Sequence, residues 1–371
     1  MDKKFVMGIA AMAALTLVSC SSDDLDSFSD NSSKNEAINF DGYLGRSAVA
    51  VNGTRGSVET VTTLKANGFG VFSKYTPTEE GQASFPDFAN QQVTYKYSKW
   101  TYSPIKYWPT TNGHIDFYAY APYDKNTTLN NTSFEFNVDP DVAKQKDLLW
   151  AKAKVQINTP ITSTNNKVNF QFAHALSRLG YTIKLHEQYP SATFKLNKIT
   201  LAGSPDGTTN AFYKKGTIDL STVKDPTSGA TTGLWNTSSS DKQNFDWFSG
   251  TYENLSTTAS NPDKDNNYLF VIPQEFKEKT TENPDVDELY VIVNYTITYS
   301  DNKTQTNTVY KQIKKNFERG KAYMLNLTIG LPIEFDVNLT EGVGVEGWGE
   351  DEEINIGSND NNPWDGIESK K

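Results

Sequence analysis

Cysteine and histidine are scarce in this sequence. Its 371 residues include one Cys, Cys20, and three His. Because a single thiol cannot form an internal disulfide, the folded part of the chain must be stable from its hydrophobic core alone. The chain also has no apolar run of the ~20 residues that a membrane-spanning helix needs.

The motifs of common catalytic and zinc sites are missing as well. His114, His174 and His186 form neither an H-E-x-x-H pair nor a pair separated by three to five residues. No G-x-S-x-G motif is present, and no Cys outside the N-terminal region could act as a nucleophile. We therefore predict that the protein is not an enzyme and uses no cofactor or metal. A catalytic pair of carboxylates that only folding brings together remains an open alternative, because such a pair leaves no motif in the sequence.

Two segments match the letters of a ligand motif but not its surroundings. Residues 342–347 (GVGVEG) fit G-x-G-x-x-G, yet the acidic run 350–353 follows and would repel the phosphates of a dinucleotide. Residues 263–274 begin like a calcium-binding loop, but Tyr268 stands where that loop has glycine and Gln274 where it has glutamate. A turn is the preferred interpretation of both segments.

Charge and composition narrow the class of protein further. The formal net charge is −10, which argues against a nucleic-acid partner. Hydrophobic residues make up 36% of the chain, below the usual ~45–50% of globular proteins. Aromatic residues nevertheless reach 12%. Because aromatic and β-branched residues are enriched in strands, this composition favours a folded protein with β-sheet cores.

Short runs of alternating apolar and polar residues recur along the chain and predict an all-β fold of sandwich type. We read 289–299 as a central strand, 141–146 as a single helical turn, and 225–265 as a large surface excursion. The predicted strands are residues 38–44, 68–72, 93–97, 100–102, 114–120, 134–138, 181–185, 194–201, 217–220, 268–272, 289–299 and 323–329.

A polar, proline-containing piece, residues 186–192, suggests a boundary between two domains. We predict an N-terminal β-sandwich over residues 38–188 and a C-terminal β-sandwich over residues 189–356. Residues 357–371 are expected to be a disordered tail.

The N-terminus has the features of an export signal. Lys3 and Lys4 precede an apolar stretch, and residues 17–20 (LVSC) resemble a bacterial lipoprotein box. This resemblance implies that residues 1–19 are a signal peptide, that the chain is cut before Cys20, and that Cys20 carries fatty acyl chains such as palmitate. The alternative is an ordinary signal peptide with a chance Cys. Two or three acyl chains would hold the protein to a bilayer persistently.

The residues after Cys20 suggest where the anchored protein goes. Ser21 resembles the second position of lipoproteins sent to an outer membrane, and the acidic residues at 23–26 resemble a surface-export signal of some Gram-negative groups. Residues 20–37 are polar and acidic and are predicted to be a disordered tether. The expected location is the outer face of the outer membrane.

Several longer segments together resemble the fimbrillin family, the subunits of type V pili. The opening residues 38–72 carry this resemblance, as do 317–323 (FERGKAY) and 345–349 (VEGWG). The middle of the chain adds three further segments, which are 100–123 (WTYSPIKYWPTTNGHIDFYAYAPY), 147–151 (DLLWA) and 170–185 (FQFAHALSRLGYTIKL). The resemblance implies two tandem transthyretin-like Greek-key β-sandwiches and a structural role in adhesion and in the fimbrium.

The resemblance also implies a maturation step. A trypsin-like protease would cut after Arg55 or Arg46 and release the first strand, in which Ile38, Phe40 and Leu44 face inward. A terminal strand of a neighbouring subunit would then fill the open groove, giving head-to-tail partners. The alternative is that both arginines are ordinary surface residues. The acidic C-terminal end departs from the apolar donor segment of shaft subunits, so a shaft, tip or anchor role stays open.

Two other classes of function are weighed beside the fimbrial one. A surface lipoprotein that binds carbohydrate could stack sugars on exposed aromatic rings, and its candidate residues would be Trp100, Trp108, Trp235 and Trp247. A hydrolase would need a cleft with clustered carboxylates. Burial of the tryptophan rings distinguishes the fimbrial class from the carbohydrate-binding class. Rings in a core favour a pilus subunit, and a coplanar exposed row favours a lectin.

Overall fold

In the part of the chain that the structure describes, the regular elements are β-strands, apart from one short α-helix and one single-turn 3-10 helix. The computed structural model describes residues 36–44, 59–78, 87–157, 167–220, 235–238, 240–253, 255–262, 268–330, 334–341 and 353–354.

The first half of the chain carries the following elements: β1 (Asn39–Leu44), α1 (Val61–Asn67), β2 (Phe69–Pro77), β3 (Gln91–Lys96), β4 (Lys99–Thr101), β5 (Gly113–Ala121), β6 (Ser133–Asn137), the 3-10 turn (Val142–Lys144), β7 (Leu149–Ile157), β8 (Lys167–His174) and β9 (Ser177–Leu185). The second half carries β10 (Ala192–Ala202), β11 (Phe212–Tyr213), β12 (Lys215–Asp219), β13 (Trp235–Thr237), β14 (Lys242–Gln243), β15 (Phe245–Tyr252), β16 (Leu269–Val271), β17 (Gln274–Phe276), β18 (Tyr290–Tyr299), β19 (Thr304–Gln312), β20 (Lys315–Phe317), β21 (Ala322–Gly330), β22 (Glu334–Glu341) and β23 (Glu353–Ile354).

A seven-stranded sheet in the order β1-β8-β7-β5-β2-β3-β4 organises the first half. Strands β1 and β8 run parallel, and the other neighbours in this sheet are antiparallel. Strands β1 and β4 are the two edges, yet they lie against each other without pairing. The sheet therefore curls towards a barrel and leaves an open seam between its edge strands.

Both faces of this sheet are covered, as β5 illustrates. Successive side chains of a strand point to opposite faces. Phe117 and Ala119 lie in a first core, formed within the first half of the chain. Tyr118 and Tyr120 lie in a second core, formed largely by the later strands. Because the second half of β5 is buried on both sides, its residues 117–121 (FYAYA) are all apolar or aromatic and do not alternate with polar residues.

The second core fills the space between the remaining sheets. A four-stranded sheet has the order β15-β10-β18-β19, and a five-stranded sheet has the order β16-β9-β21-β22-β23. The prediction of a central strand at 289–299 is confirmed, because β18 pairs with β10 on one side and β19 on the other. Three smaller sheets complete the described part, which are β11-β14, β13-β12-β6 and β17-β20.

One predicted element is wrong. Residues 225–265 were expected to be a surface excursion, but β13, β14 and β15 lie within this range. Phe245 and Trp247 of β15 are fully or almost fully buried. The many Ser, Thr and Asn residues around them conceal a strand that alternates between core and solvent.

The position of β9 bears on the predicted domain boundary. Residues 38–188 were expected to form one sandwich, yet β9 pairs in parallel with β21 and its buried side chains belong to the second core. Strand β6 likewise pairs with β12 of the second half. The described residues from Glu36 onward group into one unit. Packing thus favours a change of core near Ala175, and the division into two domains stays a prediction.

The described part begins two residues before the predicted first strand. Ala37 forms a bridge with Tyr107, and the backbone N–H of Trp108 donates to the carbonyl of Glu36 over 3.0 Å. Residues 36 and 37, expected to end a disordered tether, are thus bound to the fold. The predicted tail 357–371 lies outside the described residues.

Candidate functional site: the first strand and its groove

Strand β1 is held at the edge of the seven-stranded sheet by its inward side chains. Ile38, just before the strand, is fully buried, and Phe40 and Leu44 are almost fully buried. All three belong to the first core. The pattern follows from the sequence, because residues two apart share a face of a strand. The predicted strand and its inward face are therefore present in the structure.

Phe40 is the best packed of these side chains. Its ring lies 5.2 Å from the rings of Phe88 and Tyr102, 5.7 Å from Phe170 and 5.9 Å from Phe117, centroid to centroid. Three of these four contacts are edge-on or tilted, an arrangement that aromatic quadrupoles favour. Phe40 thus joins β1 to four other segments of the first core.

The backbone of β1 is paired on one side only. Its ladder partner in the described part is β8, with Phe40 opposite Val168. On the other side, the N–H of Ile38 donates to the carbonyl of Lys106 over 2.9 Å, and the Tyr102 hydroxyl donates to the carbonyl of Ile38 over 2.8 Å. Beyond this point β1 faces the open seam, as expected for an edge strand.

The segment from helix α1 to strand β4 forms the opposite wall of that seam. Thr60 caps the N-terminus of α1 through a reciprocal bond with Thr63, and Gly68 ends the helix at a positive φ of 70°. A Cβ at Gly68 would lie 2.4 Å from the carbonyl oxygen of Val93, so glycine is required there. The chain then enters β2 directly, with α1 beside the β3–β4 hairpin.

Between these walls lies a groove of about 550 Å³, which we name the β1–β4 groove. It is lined by the outward part of β1, by α1 and by the β3–β4 hairpin. The side chains with aromatic rings or amines in its lining are Phe40, Tyr43, Lys65, Tyr95, Lys99, Trp100 and Lys167.

Several residues singled out in the sequence lie outside the described residues. These are the lipidation candidate Cys20 and the two cleavage candidates, Arg46 and Arg55. The segments 263–267 and 342–347, which resemble calcium and dinucleotide motifs in part, also fall outside. In the described part, no group of three or more His, Cys, Asp or Glu residues could hold a metal ion.

The four tryptophans do not form an exposed row. Trp108 and Trp247 are each 2% exposed and sit in the first and second core, respectively. Trp100 is half-buried against Phe69, and Trp235 is half-buried with its Nε1 donating to the carbonyl of Ala175 over 2.8 Å. This burial favours core roles for three of them and leaves Trp100 at the wall of the groove.

A buried polar cluster was missed at the sequence level. The side chains of Asp147 and His174 are fully buried, and the Asp147 Oδ2 lies 2.7 Å from the His174 Nδ1. The same carboxylate oxygen accepts from the backbone N–H of Glu59 over 3.1 Å. Glu59, also fully buried, accepts at Oε1 from the Asn67 amide over 3.0 Å.

The environment of Glu59 disfavours its charged form. Burial, followed by the nearby Asp147 carboxylate, raises the pKa of Glu59 to about 7. The cluster joins the start of α1 to the beginning of β7 and the end of β8. Asp147 and His174 occur in segments quoted for the family resemblance, but their sequence separation gives no sign that they touch. We interpret the cluster as a structural tie near the end of β1, because Glu59, Asp147 and His174 are closed off from solvent.

The comparison with known proteins decides the family. The chain matches the fimbrillin-like family over residues 54–348. This protein belongs to the fimbrillin-like family. The match covers most of the chain and confirms the resemblance, which rests in part on residues 100–123 and 170–185.

Two relatives illustrate the membership. Fimbrium subunit Fim1C of Phocaeicola vulgatus (strain ATCC 8482) is 26% identical over 401 aligned positions, which cover 94% of this chain and 97% of that protein. A crystal structure of a fimbrial protein from Bacteroides vulgatus ATCC 8482 is 21% identical. It covers 85% of this chain and all of its own, with a TM-score of 0.55. The all-β fold of this fimbrillin-like chain is thus shared with a solved fimbrial protein.

No helix in the described ranges is long and apolar enough to cross a membrane.

Proposed function

We propose that this protein is a structural subunit of a fimbrium, with no catalytic activity. Its family membership and its similarity to a protein named as a fimbrium subunit over nearly the whole chain support this role. Its partners would be other subunits of the same fibre.

The observation that carries the proposal is the position of β1. Among the described residues, this strand lies at the edge of its sheet with β8 as its ladder partner, and three apolar side chains fix it to the first core. Fully burying an aliphatic or Phe side chain is worth about 1.5–3 kcal/mol. Removal of Ile38, Phe40 and Leu44 together would therefore cost several kcal/mol, a large part of a usual stability of ~5–15 kcal/mol. A replacement strand from a neighbour would recover that energy.

Proteolysis would release the strand. Arg46 and Arg55 both lie in the sequence between β1 and α1, so a cut after either one separates β1 from the rest of the chain. The vacated slot would accept a terminal strand of the next subunit. This contact is head-to-tail and does not close, and it therefore builds a filament.

The same proposal includes a lipid anchor. Cys20 would carry the acyl chains that hold the precursor at the outer face of the outer membrane, and residues 21–35 would link the lipid to the fold. The motivation is the apolar run before the only Cys of the chain. Shaft, tip and anchor positions in the fibre are all compatible with this arrangement.

Limited trypsin treatment of the purified protein tests the maturation step. We expect an early cut after Arg55 or Arg46, identified by mass spectrometry, followed by oligomers in size-exclusion chromatography. The Arg46→Ala/Arg55→Ala double variant is the matched control, and we expect it to remain uncut at this segment and monomeric. A cut protein that stays monomeric at high concentration with β1 still bound would contradict strand exchange.

A further inference from the structure

The β1–β4 groove concentrates positive charge on an acidic protein. Lys65, Lys99 and Lys167 contribute three amines to its lining, whereas the whole chain has a net charge of −10. Lys167 is paired with Asp41, the one acidic residue of the lining, over 3.2 Å. Among the described residues, no carboxylate forms an ion pair with Lys65 or Lys99. Two ammonium groups therefore remain available to an anion.

Aromatic rings lie beside these amines and are fixed by packing. The Tyr95 and Trp100 ring centroids are 5.1 Å apart, and Trp100 in turn lies 4.8 Å from Phe69 of the first core. The Lys65 ammonium is 4.8 Å from the Tyr95 ring centroid. Tyr43, from the β1 side, is 50% exposed. A ligand in the groove would thus meet rings from both walls.

The size of the groove suits a small ligand with many polar groups. Its volume of about 550 Å³ falls within the ~300–1,000 Å³ of typical small-molecule sites. Asn39 and Ser98 add an amide and a hydroxyl to the lining. Strand β4, the other edge, has three residues, Lys99–Thr101, so an added peptide strand would find a short ladder on that side. These features favour a sugar over an extended peptide.

We propose that the β1–β4 groove binds an anionic oligosaccharide, with its carboxylates at Lys65 and Lys99 and an apolar sugar face against the ring of Tyr43 or Trp100. This binding site would give the uncut subunit, in which β1 is still in place, an adhesive function of its own. Because β1 forms one wall, the groove exists only while β1 is paired with β8.

Binding is tested with the full-length chain in detergent by saturation-transfer NMR and calorimetry. The probes are 3′-sialyllactose and trigalacturonate, and their uncharged counterparts are lactose and methyl-esterified trigalacturonate. We expect at least one acidic sugar to bind about tenfold or more tightly than its counterpart, and its affinity to fall as salt rises. Failure of both acidic sugars to bind, or equal binding of the charged and the uncharged sugar in both pairs, would overturn the proposal.

Two pairs of variants locate the site. Lys65→Glu/Lys99→Glu should weaken binding of the acidic sugar by about tenfold or more. Lys96→Glu, an exposed residue opposite Lys99 in the β3–β4 hairpin but outside the lining, should not. Tyr43→Ala should weaken binding as well.

The matched control for the ring is Tyr97→Ala, because Tyr97 is 94% exposed and lies outside the groove lining. Tyr97→Ala should bind as the unmodified chain does.

Hexaglutamate provides the remaining comparison. If hexaglutamate binds with the same dependence on Lys65 and Lys99 and the sugars do not, the groove is an acidic-peptide site and the saccharide proposal is wrong. Affinity unchanged by Lys65→Glu/Lys99→Glu would also refute it.

Discussion

Phe40→Ala is the sharpest perturbation of the proposed exchange strand. Phe40 is 4% exposed and contacts four aromatic rings of the first core. The substitution removes the ring and leaves the backbone of β1 free to pair with β8. It therefore separates the contribution of side-chain packing from that of the ladder.

The expected loss can be estimated from the burial. Replacing a buried Phe by Ala usually costs about 3–5 kcal/mol, because transfer energy is lost and a cavity remains. An edge strand can relax into part of that cavity, so we expect about 3 kcal/mol. Since 1.4 kcal/mol is a factor of ten, the opening of β1 should become about 100-fold more frequent.

Hydrogen exchange measured by mass spectrometry reports this opening directly. Peptides that cover β1 should exchange about 100-fold faster in Phe40→Ala than in the unmodified chain, whereas peptides from β18 should change little. Urea unfolding gives the global effect on stability. Tyr43→Ala is the matched control, since Tyr43 is on the same strand but 50% exposed. Its cost should stay below about 1 kcal/mol.

Equal effects of Phe40→Ala and Tyr43→Ala would refute the reasoning. Such a result would mean that the ladder to β8, not the inward face, holds β1 in place. Release of the strand would then leave little apolar surface to drive capture of a partner strand.

Three further predictions follow from single residues. The pKa of Glu59 is raised to about 7 from an ordinary 4.5, so the folded state binds the proton more tightly than the unfolded state does. The free energy of unfolding should therefore fall as pH rises from about 4.5 to about 7, by up to about 3 kcal/mol. Urea unfolding across this range should show the slope, and Glu59→Gln should flatten it. Gly70→Ala should destabilise the protein by about 1–3 kcal/mol because a Cβ there would lie 2.3 Å from the Tyr120 Cε1, whereas Gly250→Ala, whose nearest atom is 3.7 Å away, should be tolerated in thermal melts. Metabolic labelling with a clickable fatty acid should mark the unmodified protein and not Cys20→Ser, and equal labelling would exclude lipidation at this residue.

Local alternation in the sequence determined the strand content and several specific strands. Residues 38–44 and 289–299 carry a period of two or a long β-branched run, and the structure has β1 and β18 there. These signals are local, because the pleat itself sets which side chains share a face. The family could be recognised for a related reason, since its motifs lie in contiguous segments that need no knowledge of the fold.

The sequence pattern did not predict the polar strands. Strand β19 (TQTNTVYKQ) has few apolar residues, and it forms because β18 offers a long free edge opposite it. Strand β15 lies among Ser, Thr and Asn residues, and its strand character depends on pairing with β10. Pairing energy from a distant partner can override weak local preference, and this contribution has no signature in the strand's own residues.

Only the tertiary structure decided which residues meet. The contact of Asp147 with His174 and Glu59 joins three separate segments, and the β1–β4 groove exists because the seven-stranded sheet curls until its two edges approach. The sequence determined that residues 38–44 form an apolar-faced strand. The fold placed that strand at an edge, parallel to β8 and beside a basic groove, because strand order depends on long-range pairing and the curvature of the whole sheet.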